Sequence, residues 1–208
     1  MHRVKNFPAR GVYAITDGPR DDLIPAVEAA LAGAAAVVQY RDKSSDHDRR
    51  RAEARAIKEA CDRHDVPLIV NDDLELAVEI GAAGVHLGED DGDVALARQR
   101  LGADAIIGVS CYDSLDRAHA AAEAGADYLA FGAFFASPTK PNARRATIEL
   151  LRAAKSLGPP VVAIGGITSD NASPLIEAGA DFVGVISGIF AADDIEQATR
   201  RYSILFSH

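Results

Sequence analysis

Eight short apolar runs, each followed by a longer amphipathic stretch, limit what this chain can fold into. The runs are Val12–Thr16, Ala36–Tyr40, Pro67–Val70, Gly84–Leu87, Ala105–Val109, Tyr128–Phe131, Val161–Ile164 and Phe182–Ile186. Runs this short and this continuously apolar suit parallel strands that are covered on both faces. The stretches between them cover about residues 22–32, 46–64, 73–80, 93–101, 114–124, 145–156, 170–178 and 193–205. They set apolar residues three and four apart, as in Leu23, Ala26, Val27, Ala30 and Leu31, which is the spacing of a helix with one buried face. Ser114, Thr147, Ser169 and Asp193 stand where caps are expected.

An internal echo supports the same reading. LAGAAAVVQ (31–39), EIGAAGVHLG (79–88), EAGADYLAFG (123–132) and EAGADFVGVI (177–186) share one form. A helix ends at Gly33, Gly81, Gly125 or Gly179, where glycine can take the left-handed conformation, and the next strand follows at once. Eight such units in 208 residues predict an α/β fold, a single-domain (β/α)8 TIM barrel over residues 1–208 with short loops. The rival, a doubly wound sheet, lacks support in TDGPRDD after the first run, which is not a dinucleotide-type glycine loop.

Charge and cysteine content narrow the function. The chain carries 31 acidic against 22 basic residues, a net charge of −9, which argues against nucleic acid or a membrane surface as partner. No run is long enough to span a bilayer, and the basic start MHRVKNFPAR leads into no signal-like apolar stretch. Cys61 and Cys111 form neither a zinc motif nor a disulfide framework. A cytoplasmic location is therefore expected; oligomeric state is not legible.

A barrel collects its chemistry where the strands end. The unusual polar residues fall there: Gln39, Arg41 and Lys43 after the second run, Asn71 and Asp72 after the third, His86, Glu89 and Asp91 around the fourth, Ser110 after the fifth, Ser137, Thr139 and Lys140 beyond the sixth, Gly166 after the seventh and Ser187 after the eighth. Asp72 and Asp91 lie 19 residues apart, one repeat, so they end neighbouring strands and make an oxygen site for Mg²⁺. Asp73 and Asp93 read instead as helix starts. The glycine turn IGGI and the segment VIS would present backbone N–H groups to a phosphate. Arg41, Lys43 and Lys140 would meet an anionic, small-molecule phosphate substrate. Arg49, Arg50 and Arg51 read as a solvated helix face. His86 fits a core or a site role equally.

QYRDK (39–43), VNDD (70–73), GVHLGEDD (84–91), GVS (108–110), SPTK (137–140), IGGI (164–167) and VIS (185–187), in this order, resemble the thiamine phosphate synthase family. The resemblance implies a transferase that couples hydroxymethylpyrimidine diphosphate with a thiazole phosphate and releases pyrophosphate, with Mg²⁺. By motif match, the segment Gln39, Tyr40, Arg41, Asp42 and Lys43, with Asn71, Ser110 and Lys140, would bind the pyrimidine diphosphate. Arg41, Lys43, Ser110 and Lys140 would carry the catalysis. Ser137, Pro138, Thr139, Gly166, Ile186 and Ser187 would bind the thiazole phosphate, and Asp72 and Asp91 the metal. The implied chemistry is dissociative and needs charge neutralisation more than acid–base groups. Residues 133–144 could form a lid. Glu89 stands where the family has Gln, and Ser137 where it has Thr.

Two alternatives stay open on these residues. A related isomerase of thiazoles has a catalytic His soon after the fifth strand, where this chain has Cys111, Tyr112 and Asp113. A barrel that binds thiamine precursors without turnover would carry the same phosphate groups.

Overall fold

A computed structural model describes residues 7–136 and 145–207. Its eight strands are β1 Gly11–Ile15, β2 Ala35–Tyr40, β3 Leu68–Asn71, β4 Gly84–Leu87, β5 Ile106–Tyr112, β6 Tyr128–Phe131, β7 Val161–Ile164 and β8 Phe182–Val185. All pair in parallel in chain order, and β1 pairs with β8, so the sheet closes into a barrel. The helices are α1 Leu23–Ala32, α2 His47–Arg63, α3 Leu74–Ile80, α4 Val94–Leu101, α5 Leu115–Glu123, α6 Ile148–Ala154, α7 Ser173–Glu177, α8 Ser187–Phe190 and α9 Ile195–Ser203. The expected (β/α)8 barrel is therefore present, with one additional four-residue helix, α8, directly after β8.

Strand alternation divides the core in two. Tyr13, Val37, Ile69, Ile106, Tyr128, Val162 and Phe182 point into the barrel and form one cluster. Val12, Val38, Val70, Val85, Leu129 and Val183 point outward and join the helices in a larger one. Phe7, ahead of β1, stacks on Tyr128 with ring centroids 5.4 Å apart and lies 5.0 Å from Phe182. Gly108 makes room for Tyr128: a Cβ there would sit 1.8 Å from the tyrosine Cζ.

Several expectations need adjustment. Asp73, Asp93 and Ser114 do cap helices, their side chains accepting from the amides of Leu76, Leu96 and Arg117. Asp194, not Asp193, caps α9. Helix α7 begins at Ser173 rather than near residue 170, because Pro174 belongs in a first turn. Gly33 is not left-handed, at φ −77°; Ala34 takes that role at φ 68°. Glycine is needed at 33 for closeness instead, since a Cβ would come within 2.6 Å of Thr199 Cβ on α9. The arginine run is not simply solvated. Arg49 pairs with Asp42 and Glu53, Arg50 with Asp73, and Arg51 with Glu79. Among the described residues no helix is long and apolar enough to cross a membrane.

Candidate active site at the strand ends

A cavity of about 740 Å³ opens at the C-terminal ends of the strands. Its wall includes Gln39, Arg41, Lys43, Asn71, Asp72, Asp91, Ser110, Gly166, Ile186 and Ser187, brought together from six strand ends and their loops. Ser137, Pro138, Thr139 and Lys140 lie outside the described residues, as does most of the expected lid.

Two members of the QYRDK segment point elsewhere. Adjacent strand residues face opposite sides of a sheet, so Gln39 looks inward and Tyr40 outward. The Tyr40 hydroxyl donates to Glu53 on α2 at 2.7 Å. The Asp42 side chain is fully buried, accepting from Arg49 at 2.8 Å and from the Ser44 amide at 2.7 Å. Both hold the β2–α2 connection in place, and neither lines the cavity. Cys111 is likewise turned away from Ser110 and is fully buried; burial pushes its thiol up to about 12, so it stays protonated.

Asp72 and Asp91 adjoin: Asp72 directly follows β3, and the loop after the neighbouring β4 brings Asp91 to it. Asp72 follows β3 in the left-handed region at φ 61°, an uncommon conformation for a residue with a Cβ and one that clusters at functional sites. Its amide donates to His86 O at 2.8 Å, and its carboxylate accepts from Asn71 Nδ2 at 2.6 Å and from Lys43 Nζ. Asp91 accepts from the Gly88 amide at 3.0 Å. Burial, and then the neighbouring Asp72 carboxyl, push the Asp91 carboxyl above its ordinary range. Two adjoining carboxylates of this kind suit a divalent cation between them. Among the described residues no cluster of three or more His, Cys, Asp or Glu surrounds a metal position, so waters or substrate oxygens would complete the shell.

On the far wall, Gly165 and Gly166 turn at φ 95° and 64°, and a Cβ on Gly166 would meet Ala136 O at 2.7 Å. Asn171 clasps this turn: its Nδ2 donates to Gly166 O at 3.1 Å and its Oδ1 accepts from the Thr168 amide at 2.8 Å. Ile186 and Ser187 start α8 beside it.

Sequence reasoning missed the cavity floor. Tyr13 and Tyr128 cross the barrel interior and join Gln39, His86 and Ser110 by hydrogen bonds. His86 is fully enclosed; burial lowers it to about 4, so the ring is neutral at pH 7. A signal did exist, since Tyr13 and Tyr128 are the bulky polar-tipped residues at inward positions of strands that are otherwise apolar.

The family described as "Thiamine monophosphate synthase" matches residues 12–189. A thiamine-phosphate synthase of Marinobacter nauticus is 52% identical over all of this chain and 96% of its own length. One from Thiobacillus denitrificans is 54% identical, covering 98% of each chain. The solved thiamine phosphate pyrophosphorylase of Pyrococcus furiosus superposes with a TM-score of 0.86 at 32% identity, covering 98% of this chain and 97% of that one.

Proposed function

The chain belongs to the thiamine monophosphate synthase family, and we propose that it couples hydroxymethylpyrimidine diphosphate with thiazole phosphate to give thiamine phosphate and pyrophosphate. It is a transferase of thiamine biosynthesis. The reading takes residues 1–208 as one barrel domain acting on small-molecule phosphates in the cytoplasm. The observation that carries it is the adjoining Asp72 and Asp91 pair, on one cavity wall with Arg41 and Lys43, in a chain of this family.

In the proposed step the bond between the pyrimidine methylene carbon and the diphosphate oxygen breaks, and its electron pair leaves with pyrophosphate. The thiazole nitrogen lone pair then forms the new carbon–nitrogen bond. No side chain need gain or lose a proton in this step. Asp72 and Asp91 would hold Mg²⁺, which when bound supplies positive charge against the departing diphosphate. Arg41 and Lys43 would add fixed positive charge to the same oxygens, with Lys140 by motif. Asn71, Gln39 and Ser110 would orient the pyrimidine diphosphate. The Gly166 turn and the Ile186–Ser187 helix start would hold the thiazole phosphate through backbone N–H groups.

Purified protein given both substrates and Mg²⁺ is expected to form thiamine phosphate, and no coupled product under those conditions would overturn the proposal. Asp72→Ala should lower turnover roughly 10²-fold or more while the fold persists.

A further inference from the structure

Five side chains from five strands form one unbroken hydrogen-bonded line beneath the cavity. Gln39 Nε2 donates to Tyr13 Oη at 2.9 Å. Tyr13 Oη and Tyr128 Oη lie 2.7 Å apart, Tyr128 Oη and His86 Nδ1 2.8 Å, and His86 Nε2 and Ser110 Oγ 2.9 Å. Both tyrosines and Gln39 are at most 3% exposed, so water does not substitute for a missing partner.

Each hydroxyl has one proton, and a neutral imidazole has one donor and one acceptor. The polarity of such a line is therefore all or none. With Gln39 donating, the Tyr13 proton must go to Tyr128, and the Tyr128 proton to His86 Nδ1. The ring then carries its proton on Nε2 and gives it to Ser110 Oγ. Ser110 accepts there, and its own proton is left to point elsewhere. The reverse polarity would make Ser110 spend its proton on His86 and turn oxygen lone pairs toward whatever anion fills the cavity.

We infer that the Gln39–Tyr13–Tyr128–His86 line fixes His86 as the Nε2–H tautomer and thereby presents the Ser110 hydroxyl to the cavity as an obligate donor for a phosphate oxygen. His86, Tyr128 and Tyr13 are positioning residues for Ser110. The tautomer stands on the geometry alone; the role of the hydroxyl rests on the diphosphate-binding reading above.

The test begins with the ¹⁵N spectrum of ring-labelled protein at neutral pH, with the His86 signals assigned by their loss in His86→Gln. A protonated Nε2 with a bare Nδ1 is expected; a protonated Nδ1 overturns the inference, whether or not any variant folds. Tyr128→Phe removes the donor to Nδ1 and should mix the tautomers. It should also weaken binding of inorganic pyrophosphate with Mg²⁺ about tenfold by calorimetry. Tyr13→Phe breaks the line and frees the Tyr128 hydroxyl to accept from Nδ1–H, so the Nδ1–H form should appear beside the Nε2–H form; a purely Nε2–H ring in that variant overturns the role given to Tyr13 and Gln39. Tyr128→Phe should cost little further in a Ser110→Ala background, since its effect runs through that hydroxyl. Unchanged pyrophosphate affinity in Tyr128→Phe overturns the positioning role. If wild-type protein with the expected tautomer ignores pyrophosphate altogether, the diphosphate reading fails and takes the Ser110 role with it, while the tautomer assignment holds.

Discussion

Replacing Gly108 by alanine should unsettle the whole barrel interior from a single methyl group. The added Cβ would lie 1.8 Å from Tyr128 Cζ and 2.3 Å from both Cε atoms. Carbon atoms in contact sit about 3.5–4.0 Å apart, so ring or strand must move by roughly 2 Å. The ring has no free direction. Phe7 stacks on it at 5.4 Å and His86 at 5.6 Å, and its hydroxyl is bonded to Tyr13 and His86. Overpacking of this kind costs about 1–3 kcal/mol, and each buried hydroxyl bond lost adds about 1 kcal/mol. A total of about 3–5 kcal/mol follows, or roughly 6–20 °C in Tm for a chain of this size. Urea and thermal unfolding of Gly108→Ala would measure it. Adding Tyr128→Leu should relieve the clash, making the double variant no less stable than Tyr128→Leu alone. A Gly108→Ala protein within about 1 kcal/mol of wild type would refute the reasoning.

Other expectations follow from the same structure. Burial alone would raise the Asp42 carboxyl, but Ser44 and Arg49 outweigh it and hold it below its ordinary value. Its folded value is thus below the unfolded one of about 3.9, so the stability it contributes is present above about pH 4 and is lost as pH falls below. The stability gap between wild type and Asp42→Asn, followed by urea unfolding, should narrow on acidification below pH 4. Cys61 and Cys111 are buried and both pushed up to about 12, so native protein should resist alkylation at pH 8 until unfolded, as mass spectrometry would show. Phe7→Ala removes an aromatic ring stacked on Tyr128 and should lower stability by about 1–3 kcal/mol in calorimetry.

The barrel was legible in the sequence because its signal is local. Each strand is a short apolar run, and Asp73 and Asp93 cap the helices that begin one residue later. Asp72 and Asp91 were legible for a related reason: neighbouring repeats put them on neighbouring strands. Tyr40 and Asp42 misled because a five-residue motif was read as one block, whereas a strand alternates faces. The cavity floor was hidden for the opposite reason. Tyr13 and Tyr128 meet across 115 positions, and His86 and Tyr128 across 42. Only closure of the sheet brings such residues together. The short reach of α7 was visible in principle, since Pro174 marks a first turn.

Phe7 gives the barrel a continuity between its ends. Its ring lies nearly parallel to Tyr128, at 16°, and Tyr128 lies nearly parallel to His86, at 17°. Three aromatic rings thus make one column, from the segment that precedes β1 to the histidine that touches Ser110. A change at Phe7 never approaches a substrate, yet it alters the column's first ring. Phe7 is in this sense part of the foundation of the site, and replacing it would disturb the footing on which His86 stands.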